Sequence, residues 1–160
     1  MYSPQDILAD IAEEIRIVKH LVTTIPHDKH EHRFSNEQRT IKELLIYIAS
    51  QWAGFTKYME SGNMKDMWDY KDSLGDVTAT NFNEKIEESF SVIKEYVENT
   101  TNRKAEFDLF GMTKKEKIWG LVFILKNIVA YRMQLFLQIK HAGNTTIWTS
   151  DNRMGVSKKA

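Results

Sequence analysis

The chain's 160 residues carry 22 basic and 22 acidic side chains, 42% hydrophobic residues and no cysteine. That length suits a single domain, spanning 1–160, whose core needs no metal or disulfide support, and the absent thiols exclude disulfides, thiolate metal sites and cysteine nucleophiles. The charges cancel, and a doublet such as Lys158 and Lys159 is too small to form a nucleic-acid footprint.

The opening stretch, MYSPQDILADIAEEI, is amphipathic and acidic. No basic region leads into an apolar run there, so no secretory signal or transit peptide is expected and a cytoplasmic location is. Ser3, Pro4 and Asp6 mark a helix start as cap, first-position proline and first-turn acid. From there Ile7, Leu8, Ile11, Ile15, Val18, Leu21 and Val22 recur at three- and four-residue steps, which predicts a first helix ending near Thr24. His27, His30 and His32 follow in a charged loop without apolar periodicity. They form the one histidine grouping that offers a surface metal site. A structural site wants a closed set of four ligands, and a flexible loop loses entropy in assembling one.

Thr40 and Glu43 make a capping box that opens a second helix running to about Glu60, with Ile41, Leu44, Leu45, Ile48, Trp52 and Phe55 on its buried face. Gly62 stops it. Residues 63–80 show aromatics and methionines without a sustained stripe, which predicts a connection holding at most a short helical turn over Met64 to Asp69. Asn81 and Glu84 cap a third, outer helix with a narrow stripe of Phe82, Ile86, Phe90, Ile93 and Val97. Thr100 to Met112 reads as irregular chain covering one end of the core.

The longest apolar run, Thr113 to Gly143, reads as one central helix with a Thr113/Glu116 capping box, Lys140 and His141 in its last turn and Gly143 as its stop. Apolar residues spread around much of its girth, so it needs neighbours on more than one side. Lys126, Asn127 and Arg132 interrupt it, which disfavours a membrane span. Four such helices, each roughly 20 to 30 residues long, imply an all-α four-helix bundle. The long connection between the second and third helices lets the chain run back along a helix, which gives an up-down-down-up topology. Ile147 and Trp148 are expected to fold the tail back onto the core.

At RTIKELLIYIASQW and NIVAYRMQLFLQIKHAG the chain resembles the DinB-like family, which includes thiol-dependent transferases and stress-induced proteins. Arg39, Thr40, Ile41, Glu43, Leu44 and Leu45 match that family's opening of the second helix, and Arg132, Gln134, Leu135 and Gly143 match its last helix. The resemblance implies a metal site of three histidines, holding nickel, zinc or iron, at the positions occupied here by Tyr47, Asn127 and Tyr131. Three neutral imidazoles leave a divalent ion Lewis acidic with an open position, whereas a phenol must first lose its proton and an amide carbonyl is a weak ligand. No cofactor and no catalytic residue is therefore expected. The leading expectation is a non-catalytic DinB-like protein in which Tyr47, Asn127 and Tyr131 form a hydrogen-bonded polar cluster near one end of the core, with a small-molecule pocket lined by the same residues as the middle reading. A metal-dependent thiol S-transferase or hydrolase, carrying nickel or zinc, and a homodimeric interaction module are the alternatives. No Glu-x-x-His pair supports a di-iron site.

Overall fold

The computed structural model describes residues 3–102 and 104–157; Lys158 and Lys159 lie outside the described residues. Helix α1, Pro4–Val22, begins on the expected cap: the Asp6 amide donates to Ser3 Oγ at 3.1 Å and the Ser3 amide donates back to the Asp6 carboxylate at 2.7 Å. Helix α2, Ile41–Ser61, begins the same way, with Thr40 and Glu43 exchanging bonds of 3.1 and 2.7 Å. Each box satisfies two amides that a helix start otherwise leaves without partners.

Helix α3, Met64–Ser73, is longer than the short turn expected there. Met67 is its one buried residue, so there was no stripe to read. What docks it is Gly54 of α2: a Cβ at that position would lie 2.7 Å from the Met67 carbonyl oxygen, so the two backbones approach as only glycine permits. Helix α4, Phe82–Asn99, buries Phe82, Ile86, Ile93 and Val97 as a narrow stripe. The expected Asn81 cap does not form. Asn81 instead accepts from the Thr78 amide at 2.7 Å and donates to the Asp76 carbonyl at 2.9 Å, shaping the turn before the helix.

The expected helix start at Thr113 is also corrected. Thr113–Glu116 is strand β2, paired antiparallel with β1, Glu106–Leu109, so that Leu109 faces Thr113 and Glu106 faces Glu116. Phe107 and Leu109 point inward while Glu106 and Asp108 point out, and this alternation over a short run outweighs the cap signal. The turn passes through Phe110 (φ 54°) and Gly111 (φ 72°). The Tyr58 hydroxyl holds it by donating to the Asp108 carbonyl and accepting from the Phe110 amide at 2.8 Å.

Helix α5 then spans Lys117–His141. By length and composition it is the one helix among the described residues that could cross a membrane, yet here α1, α2, β2 and a short helix α6, Thr149–Met154, pack on it. Its buried Arg132 reaches Glu14 of α1 at 2.7 Å. The tail does fold back, through Ile147 and the buried Asp151 and Asn152, whereas Trp148 stays exposed. Asp151 accepts from Ser157 and from the Trp148 amide and bonds His20 of α1 at 2.9 Å.

End contacts relate the long helices. Pro4 of α1 shares a small pocket with Tyr96 and Val97 at the end of α4 and with Lys117 and Ile118 at the start of α5. At the opposite end Asn144, just past α5, donates to the Thr24 carbonyl, just past α1, at 2.7 Å. Gln138, late in α5, donates to the Arg39 carbonyl before α2 at 3.0 Å, and Gly120, early in α5, meets Met59 late in α2.

Gly54→Ala should destabilise the protein by about 1–3 kcal/mol, because the obstacle is a backbone carbonyl that cannot rotate aside. Urea unfolding monitored by circular dichroism checks this. A change below about 0.5 kcal/mol, the size of an ordinary surface substitution, would mean that α3 shifts freely on α2.

Candidate functional site

Tyr47 stands on α2 and Tyr131 on α5, and the packing of those helices brings their rings to 4.7 Å between centroids. Trp52 completes a three-ring cluster, 6.1 Å from Tyr47 and 5.8 Å from Tyr131. The Arg39 guanidinium lies 4.2 Å from the Tyr47 ring centroid, within cation–π range. Burial raises the Tyr47 phenol above its ordinary pKa and the neighbouring Tyr131 phenol adds to the shift, against the pull of Arg39. Tyr47 therefore stays a neutral hydroxyl at physiological pH. The buried Trp52 Nε1 has no hydrogen-bond partner among the described residues.

Asn127 lies one helical turn before Tyr131, on the same face of α5. Its amide group does not turn toward the rings' chemistry but donates back to the Phe123 carbonyl of its own helix at 2.7 Å. The residues available at the three positions are thus a protonated phenol, a second phenol packed against it and an amide bonded within its helix. This set does not fit a divalent ion, which needs deprotonated or strongly donating ligands converging on one point.

The histidine loop is not brought together as a site. His32 Nε2 lies 2.8 Å from His141 Nδ1 at the end of α5, while His27 is exposed. Burial first, then the charges of His141 and Lys29, lower the His32 pKa. Among the described residues no three His, Asp or Glu side chains cluster closely enough to hold a metal ion.

Tyr47 also borders a groove of about 710 Å³ between α2, α3, α5 and the connection ahead of α2. Arg33, Arg39 and Lys71 line it together with Trp68, Gln51 and Gln134. Trp68 is 47% exposed, a large aromatic surface left open at the groove wall. Sequence reasoning placed Arg39 and Gln134 in the family frame but passed over Arg33, Trp68 and Lys71. The signal available for them was slight: a tryptophan in a segment without a stripe, and an arginine six residues ahead of another.

Among solved structures the chain is similar to YjoA, a DinB-like protein from Bacillus subtilis, with a TM-score of 0.67 and 18% identity over 87% of this chain and 93% of that one. No family model matches the chain, and no curated protein matches it. The chain has the DinB-like fold.

The shifted Tyr47 phenol gives a test in alkali. Its pKa is higher folded than unfolded, so its contribution to stability is complete below about pH 10 and is lost as pH climbs through the folded value. Urea midpoints at about pH 8 and pH 10.5 should fall further for the wild type than for Tyr47→Phe. Equal falls would show that the phenol is not held neutral by the fold.

Proposed function

We propose that this protein is a metal-free, non-catalytic member of the DinB-like fold, built as a four-helix bundle with up-down-down-up winding, that binds a small organic molecule in the groove beside Tyr47. The observation that carries the reading is the Tyr47–Tyr131–Trp52 ring cluster, which puts aromatic surface where the resemblance implies imidazole ligands. The winding is supported by the end contacts of α1 with α4 and α5 and of α2 with α5. Bundles commonly use the space between helices in this way, and a groove of about 710 Å³, lined mainly by charged and polar side chains with Ile46, Tyr47 and Trp68 among them, is large enough for a ligand of ordinary size. A cytoplasmic protein with no metal requirement is consistent with the absence of cysteine.

Elemental analysis of untagged protein tests this reading against the metal-dependent transferase. Nickel, zinc and iron should all be far below one equivalent. A stoichiometric metal that is lost on replacing Tyr47 or Tyr131 by alanine overturns it. Conversely, histidine introduced together at positions 47, 127 and 131 should create affinity for a divalent ion, because the helical scaffold already presents two of the positions one turn apart.

One observation favours a second, compatible reading, a homodimer. Val129, Met133 and Leu137 form an outward stripe on α5 at four-residue steps and are 36, 42 and 47% exposed. Such a stripe is the helix face that a second copy covers in a symmetric pair. Sedimentation at micromolar concentration should show a dimer that Met133→Glu converts to monomer; a wild-type monomer overturns this reading.

A further inference from the structure

We infer that the ligand of the groove is a planar aromatic carboxylate, its anionic group held by Arg33 and Arg39 and its ring laid against Trp68. The inference rests on the metal-free pocket reading and adds the chemical class. Its first support is charge. The groove presents the cations Arg33, Arg39 and Lys71 against the carboxylates Glu37 and Glu43. Glu43 is already engaged by the Thr40 amide at 2.7 Å as a helix cap; that bond, countered by burial and assisted by the Thr40 hydroxyl and the charges of Arg33 and Arg39, holds its pKa below the usual range. The Ser35 side chain likewise lowers Glu37. Both acids are therefore ionised and already engaged, which leaves the groove one positive charge in excess.

The second support is the state of those cations. Neither arginine nor Lys71 enters an ion pair within the 4 Å limit among the described residues, although Arg16, Lys19, Lys65 and Arg132 all do. Arg39 spends its guanidinium face on the Tyr47 ring and so keeps its edge donors open. A planar fork of this kind suits a carboxylate, to which it offers two parallel hydrogen bonds.

The third support is aromatic surface. Trp68 from α3 leaves its ring open at the groove wall, while the Tyr47 ring holds the Arg39 guanidinium in place, and an open ring of this kind favours a flat aromatic partner beyond the area it buries. Gln51 and Gln134 add neutral polar groups at the wall. An aliphatic acid would use only the arginines, and a neutral sugar would use only the ring.

The test uses full-length protein with 2-naphthoate and its neutral isostere 2-naphthamide, followed by isothermal titration and by tryptophan emission. The acid should bind at one site per chain and quench emission, at least about tenfold more tightly than the amide, the loss expected when a charged hydrogen bond becomes neutral. Raising salt should weaken the acid and leave the amide unchanged. Arg33→Gln and Arg39→Gln should each weaken the acid alone, whereas Trp68→Ala should weaken both; all three side chains are exposed, and matching melting curves confirm intact folding. Equal affinities for acid and amide, both lost in Trp68→Ala, overturn the anion and leave the metal-free pocket standing. Binding that survives all three substitutions lies elsewhere and overturns the inference, and no saturable binding of either compound overturns it together with the pocket reading.

Discussion

A helix that is apolar around most of its circumference cannot be satisfied by one neighbour, and α5 imposes that condition on everything else. Leu121, Ile124, Ile128, Leu135 and Ile139 are all nearly inaccessible along one face, and the buried Gln138 and Phe136 widen that arc on either side. Burying each is worth about 1.5–3 kcal/mol, one part of the core-wide burial that offsets the loss of chain freedom on folding. Arg132 fixes which face meets α1. With its partner Glu14 it forms an ion pair of low exposure, and a wrong rotation of α5 would leave a charge buried alone, a far larger penalty than the pair itself repays.

The same helix carries two of the three positions that decide the chemistry. The resemblance implies imidazoles there, and the phenols fill the space with an aromatic contact. The Tyr47 and Tyr131 rings occupy the interval between α2 and α5 and pack on Trp52, which sets the spacing of the two helices. Burial that raises the Tyr47 phenol works against metal binding twice, by keeping the proton on and by leaving no charge to attract a cation. Asn127, bonded to Phe123, is removed from the site by an ordinary helical back-bond.

Much of the fold was legible because caps and stripes are local. The Ser3 cap and the Thr40/Glu43 box formed as written in the sequence, and Asp6 closes a box at Ser3 as well. The same signal at Thr113/Glu116 was overruled, since Phe107 and Leu109 gain burial only if β1 finds a partner strand and the residues after Gly111 are the nearest ones. Helix α3 was hidden for a different reason: it attaches through the buried Met67, the partly buried Tyr70 and a close backbone approach at Gly54, too few positions to leave a periodic trace. The pairing of Tyr47 with Tyr131 was legible through the resemblance, but the groove was not, because Arg33, Trp68 and Gln134 come from three separate parts of the chain and only the packing of α3 and α5 on α2 assembles them.

That assembly explains why the groove sits where it does. Helix α3 buries Met67 and packs Tyr70 on the core, which leaves Trp68 and Lys71 facing outward beside α2. The connection ahead of α2 closes the other side, tied down by the Ile41 amide on the His32 carbonyl at 2.9 Å and the Lys42 amide on the His30 carbonyl at 2.8 Å. Backbone pairing of that kind holds Arg33 and Arg39 near the rim without using their side chains. Main-chain bonds thus place the segment carrying Arg33 and Arg39, ring packing places Tyr47, and the Arg39 guanidinium over the Tyr47 ring joins the polar and aromatic halves of the groove.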